Sequence, residues 1–215
     1  MLLTQLFQNP IYFVAVVVGL VVGITIHEFS HAWVAYRCGD ATAKLEGRVT
    51  LNPLAHLDPI GTLFLFVAGF GWGKPVPINP RNFNHRNDEL KVAFAGIIAN
   101  ICLAFALAIP IRVALYQGQI IDHSMVLQFL NIMIEINLIL ATFNLLPIPP
   151  LDGSHLIEYF LSEESRYKFQ AYGIYILLGV ILLERVTDTS ILLNLMEPVM
   201  RLLSFLVKGT PISPF

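Results

Sequence analysis

Three side chains in GITIHEFSHAW, residues 23 to 33, have the types and spacing of metal chemistry: His27, Glu28 and His31. On a helix, positions four apart lie about 40° apart around the axis and about 6 Å apart along it, so both imidazoles face one point. Two such nitrogens suit zinc, and Glu28 stands beside them as a base able to take a proton from water. The preceding residues, IYFVAVVVGLVV, are apolar throughout. An ionisable cluster inside such a run is costly, which makes it a functional site by default.

A catalytic zinc needs a third protein ligand and one open position. The soluble pattern H-E-x-x-H-x-x-G-x-x-H would require glycine and histidine where the chain has Val34 and Arg37, and Glu46 lies in a polar, turn-like LEGRV. His56, Asp58, Asp152 and His155 remain. The stretch FNLLPIPPLDGSH, residues 143 to 155, decides among them. Pro147, Pro149 and Pro150 stop an apolar helix and hold the next residues extended, so Asp152 is expected at the depth of His27 and His31. Gly153 allows close backbone approach. Zn²⁺ with two neutral imidazoles, one carboxylate and a hydroxide sums to zero, the least costly total in a low-dielectric site. His155 is expected to orient a neighbour or cap the following helix.

The chain that must position these groups has 215 residues, 56% apolar and 13% charged, about half the charge of an ordinary soluble domain. That deficit places it in the membrane class, and a net charge of −2 provides no basic field for nucleic acid. Cys38 and Cys102 form no C-x-x-C pair and read as packing residues. MLLTQLFQNP lacks a basic start and a cleavage site, so the first apolar helix is expected to be a retained anchor. Membrane spans are expected over residues 11–35, 92–115 and 125–146, with shorter apolar segments at 171–183 and 191–207. IGTLFLFVAGFG, residues 60 to 71, is short for a crossing and is expected to be re-entrant or a short buried helix. Seven of the thirteen Lys and Arg residues lie between Arg37 and Lys91, so that stretch should be cytoplasmic, and the metal site with it. The expected fold is an all-α polytopic membrane protein. Three core transmembrane helices carry the zinc site, joined by a re-entrant or extended cytoplasmic segment and one or two further helices. It forms a single membrane-embedded domain over residues 1–215, with its core at 11–160 and C-terminal helices at 166–207.

Asn137 and Asn144 are seven apart and share a face leading toward Asp152. With Asn100 they are candidates for hydrogen-bonding an unwound substrate or a developing oxyanion, or for tying helices together. Glu135, in NIMIEINLIL, should be neutral, paired or near the outer surface. KPVPINP alternates proline with other residues, so Pro75, Val76 and Pro77 could present an extended edge to a substrate strand, or form a rigid loop.

HEFSH in one span, followed by NLLPIPPLDG at the end of a later one, resembles the site-2 protease family of intramembrane zinc metalloproteases. LNPLAHLDPIGT (51 to 62), GWGKPVPINPRNF (71 to 83) and AGIIAN (95 to 100) extend the likeness to the compact bacterial and archaeal members without an added soluble domain. It covers about residues 20 to 160. The resemblance implies one Zn²⁺ held by His27, His31 and Asp152, with Glu28 as general base and acid. It also implies a multi-pass protein of the cell membrane whose partners are the lipid bilayer and transmembrane protein substrates. Asn100 falls where the family often has A-G-P-x-x-N, but Ile97 replaces the proline. Two other classes use the same ligands: a metal-binding or transport protein, which gains nothing from Glu28, and an inactive scaffold that binds helices without cutting them.

Overall fold

The computed structural model describes residues 7–68, 71–118, 124–187 and 189–209, and among them the regular structure is helical. The long helix α1 spans Pro10–Arg37. Asn9 caps it by accepting a hydrogen bond from the Tyr12 backbone N–H, and Pro10 occupies the first turn, where a missing N–H costs nothing. Beyond its end Gly39 adopts φ +107°, which side-chain-bearing residues rarely tolerate, and a Cβ there would strike the Asn82 carbonyl at 2.8 Å. The turn α2 (Thr42–Leu45) and the short helix α3 (Pro59–Ala68) follow, and then the second long helix, α4 (Asp88–Tyr116). Ser124 caps α5 (Met125–Asn144), the one-turn helix α6 covers Ser154–Glu158, and α7 (Glu163–Thr187) and α8 (Ile191–Lys208) follow.

Among the described residues, four helices are long and apolar enough to cross a membrane: α1, α4, α5 and the Glu163–Glu184 part of α7. The first three agree with the spans expected from the sequence. The fourth is far longer than the apolar stretch at 171–183, because the helix continues through the polar EESRYK at its start, where acidic residues suit a helix N-terminus. At ten residues helix α3 is too short to cross a bilayer core of about 30 Å by itself. Leu57 and Gly73 pair as an isolated antiparallel bridge and the Lys74 N–H reaches the His56 carbonyl at 2.8 Å, so the chain enters and leaves at one level. The far part of α3 packs its Phe66 ring 6.1 Å from that of Phe13 on α1.

Helices α1, α4 and α5 pack against one another as the core bundle. On α1 the buried positions include Ala15, Gly19, Gly23, His27, His31 and Ala35, one stripe at four-residue spacing. Its small residues allow backbone approach: a Cβ on Gly23 would lie 2.6 Å from Leu140 and 3.0 Å from the Asn137 amide oxygen. The same stripe carries both histidines into the bundle. Ala104, Ala108, Ile111, Ile134 and Leu138 form one apolar cluster, and Leu146, Leu151, Leu177, Met196 and Met200 form another around the turn that bears Asp152.

The partner of Glu135 comes from α8. The Lys208 ammonium donates to its carboxylate at 2.8 Å, as the Asn131 amide does at 3.0 Å. Arg112 donates to the carbonyls of Leu206 and Val207, satisfying the open end of α8. Glu197 and Arg201 form the i, i+4 ion pair that their spacing suggests, at 2.5 Å.

Candidate metal centre

Three side chains separated by up to 125 positions converge at one end of the bundle. The His27 and His31 Nε2 atoms are 2.9 Å apart, and the Asp152 Oδ2 lies 3.0 Å from the first and 3.3 Å from the second. The corners of a tetrahedron centred on a metal about 2.0 Å away are roughly 3.3 Å apart, so the triangle matches one face of a zinc site.

The other ring nitrogens fix which atoms face inward. His27 Nδ1 lies 2.7 Å from the Asn100 Oδ1, and His31 Nδ1 lies 2.7 Å from the Val92 carbonyl oxygen. A carbonyl oxygen only accepts, so His31 must carry its proton on Nδ1. Asn100 is oriented just as firmly, because its amide nitrogen donates to the Gly23 carbonyl at 3.1 Å and to the Asn137 Oδ1 at 2.8 Å. Its oxygen therefore faces His27, which must also donate from Nδ1. With both imidazoles neutral, two Nε2 lone pairs and a carboxylate oxygen then meet at one point. The Asp152 Oδ2 is buried without a hydrogen-bond partner. Only a positive charge at the centre relieves that arrangement, and these donors fit a divalent cation of borderline softness.

Each component has a local cause. Gly96 on α4 lets that helix lie directly behind the histidines: an added Cβ would fall 2.5 Å from His27 Cε1 and His31 Nε2. The prolines end α5, and the Gly153 N–H bonds back to the Asn144 carbonyl at 2.7 Å, folding Asp152 under the bundle. A Cβ at Gly153 would collide with the Leu145 carbonyl oxygen at 2.2 Å. Glu28, half-buried, lines the same cleft of about 390 Å³. Pro75, Val76 and Ile78 form one wall, and Asn144, Pro150, His155, Arg166 and Gln170 are part of the rest.

The remaining sequence candidates separate by position. Asn144 lines the cleft, but Asn100 and Asn137 are fully buried behind the histidines with their amides engaged internally, Asn137 donating to the Met133 carbonyl. Both face Gly23 of α1 from their positions on α4 and α5. His56 is fully buried and bonds the Thr50 carbonyl at 2.8 Å, while Asp58 accepts from the Gly61 N–H at the start of α3. Both fix loops. His155 stands 3.6 Å from Glu89 and from Glu158, in a second group of metal-capable side chains. Sequence reasoning did not single out Gly96, although it lies in the quoted AGIIAN. Nor did it single out the Val92 carbonyl, which no side-chain pattern could reveal.

A family model described as peptidase family M50 matches residues 106–183. The chain is 44% identical over 169 residues to "Putative zinc metalloprotease YwhC" of Bacillus subtilis, spanning 75% of this chain and 77% of that protein. The chain belongs to peptidase family M50. This is the site-2 protease family that the motifs resemble. Two more distant relatives are "Putative zinc metalloprotease Rip2" of Mycolicibacterium smegmatis and "Zinc metalloprotease MJ0392" of Methanocaldococcus jannaschii. The first is 32% identical over 72% of this chain and 60% of its own length, the second 24% identical over 76% and 39%. No solved structure matches the chain.

Proposed function

We propose that this M50 peptidase is an intramembrane zinc metalloendopeptidase that hydrolyses peptide bonds in or near transmembrane segments of other proteins. His27, His31 and Asp152 hold one zinc, and Glu28 is the general base and acid. The carrying observation is the pair of imidazoles whose Nδ1 protons are committed to Asn100 and Val92, leaving two Nε2 lone pairs and a carboxylate aimed at one point.

Bound zinc would polarise the scissile carbonyl and acidify water. Glu28 takes the water's proton and returns it to the leaving amine, a transfer that needs a carboxylate in the cleft beside the histidines. Asp152 neutralises charge at the centre. Asn100, backed by Asn137, orients His27 rather than touching substrate, in the way that ligating histidines are commonly fixed from behind. The Asn144 amide nitrogen donates to the Leu140 carbonyl within its own helix, which leaves the amide oxygen to face the cleft for substrate.

Helical substrates hide their carbonyls in i to i−4 hydrogen bonds and must unwind before cleavage, so Gly- or Pro-containing helices are favoured. Pro75 and Val76, with Pro77 next in the chain, form the wall along which an unwound segment lies. The basic stretch between Arg37 and Lys91 supports a cytoplasmic location for this end of the bundle. A metal carrier would need the three ligands but not Glu28, and a binding scaffold would need neither. Zinc content and cleavage of a reconstituted transmembrane substrate, measured for wild type and Glu28→Ala, separate the three. Retained zinc with lost cleavage is expected; cleavage at the wild-type rate would refute the role of Glu28.

A further inference from the structure

Arg48 is 5% exposed, yet among the described residues no carboxylate pairs with it. Its Nη1 donates to the Pro75 carbonyl at 3.0 Å and its Nη2 to the Lys74 carbonyl at 2.6 Å, and its Nε is buried without a partner. Burying a guanidinium on two neutral carbonyls is expensive, and a neutral side chain could have held that loop. The negative charge that Arg48 answers lies one peptide group away. The Pro75–Val76 peptide accepts from Arg48 through its C=O and donates from the Val76 N–H to the Glu28 Oε2 at 3.1 Å. Guanidinium, peptide and carboxylate therefore form one line of hydrogen bonds in which each polarises the next.

Local sequence makes that peptide rigid. Pro75 and Pro77 have no N–H, so Val76 supplies the only backbone donor in PVP, and each proline confines the residue before it to extended conformations. The segment is tied at both ends, by the Lys74 N–H to the His56 carbonyl at 2.8 Å and the Asn79 N–H to the Asp40 carboxylate at 2.7 Å. A direct Arg–Glu contact would engage the carboxylate in a fork and weaken it as a base. One peptide placed between them orients the carboxylate while using a single oxygen.

We propose that Arg48 is a positioning residue for Glu28, acting through the Pro75–Val76 peptide group to aim the carboxylate into the cleft. This rests on the reading of Glu28 as the base. Arg48→Ala should keep one zinc per chain and lower kcat on the order of 10- to 100-fold with little change in KM, the effect of a misaimed catalytic group. Arg48→Lys should recover only part of the loss, because an ammonium cannot span two carbonyls as a planar fork does. Val76→Pro removes the N–H and should resemble Arg48→Ala, while Val76→Ala keeps it and should lose less. The Arg48→Ala/Val76→Pro double variant should be no slower than its worse parent, since both break one line.

Amide hydrogen exchange gives a readout independent of turnover: the Val76 N–H should exchange faster in both Arg48→Ala and Glu28→Ala. Wild-type kcat in Arg48→Ala, loss of its zinc, additive effects in the double variant, or unchanged Val76 exchange in Glu28→Ala would each overturn the relay. A Glu28→Ala protein that still cleaves would instead refute the base itself. An inactive Glu28→Ala beside an unimpaired Arg48→Ala would refute the relay alone.

Discussion

Two clusters of the same side-chain types sit along one cleft and meet opposite fates. His27, His31 and Asp152 form one; Glu89, His155 and Glu158 form the other. In the first, both imidazoles direct their Nδ1 protons elsewhere, and among the described residues no lysine or arginine forms an ion pair with Asp152. In the second, Arg166 donates to Glu89 and, at 3.1 Å, to Glu158, and Gln170 adds a further bond at 2.8 Å. A protein cation already occupies the place that a metal would take. Metal capacity is thus set by what the second sphere does with protons and positive charge, as much as by the ligand set.

The sharpest way to break this distinction is Asp152→Ala, which should lower zinc affinity by at least about 100-fold, more than loss of an outer partner costs. Equilibrium dialysis against a zinc buffer would show it, and cleavage should vanish in parallel. Gly96→Ala comes next. Its methyl would enter the space of both imidazoles, and affinity should fall on the order of 100-fold although no ligand has changed. Asn100→Ala should cost roughly 10- to 100-fold by freeing the His27 ring, and a value at the wild-type level would mean that the tautomer lock is not needed.

Arg166→Ala probes the other cluster. Wild type should bind one zinc, whereas the variant should take up a second, weaker equivalent in titrations, because Glu89, His155 and Glu158 are then left without their cation. Two equivalents in the wild type would erase the difference between the clusters.

A third buried carboxylate gives the smallest effect. Asp40 is satisfied by neutral donors from Thr42, Asn79 and Asn82. Burial alone would raise its pKa, but these hydrogen bonds hold the carboxyl below its ordinary range. Its contribution is therefore present above the unfolded value of about 3.9 and is lost as pH falls through the lower folded value. Asp40→Asn should melt earlier than wild type at neutral pH and converge with it in acid.

The three long helices of the core were legible because their apolar runs exceed the thickness of a bilayer, and HEFSH because four-residue spacing has one geometric meaning on a helix. The PIPP stop made Asp152 legible at a distance of more than a hundred residues. The pairing of Glu135 with Lys208 was not, since the two are 73 positions apart and nothing in local periodicity joins α5 to α8. Asn100 and Asn137 were legible as polar residues on buried faces, but not as supports for His27, because which face of α4 meets α1 is decided by Gly23 and Gly96 packing. Arg48 was hidden for a related reason. Its partners are backbone carbonyls, which carry no sequence signal.

Anomalous diffraction at the zinc edge from crystals of the wild-type protein bears most directly on the proposed centre. A single peak bounded by His27, His31 and Asp152 is the expected result; a peak at Glu89, His155 and Glu158, or none in zinc-replete crystals, would contradict it.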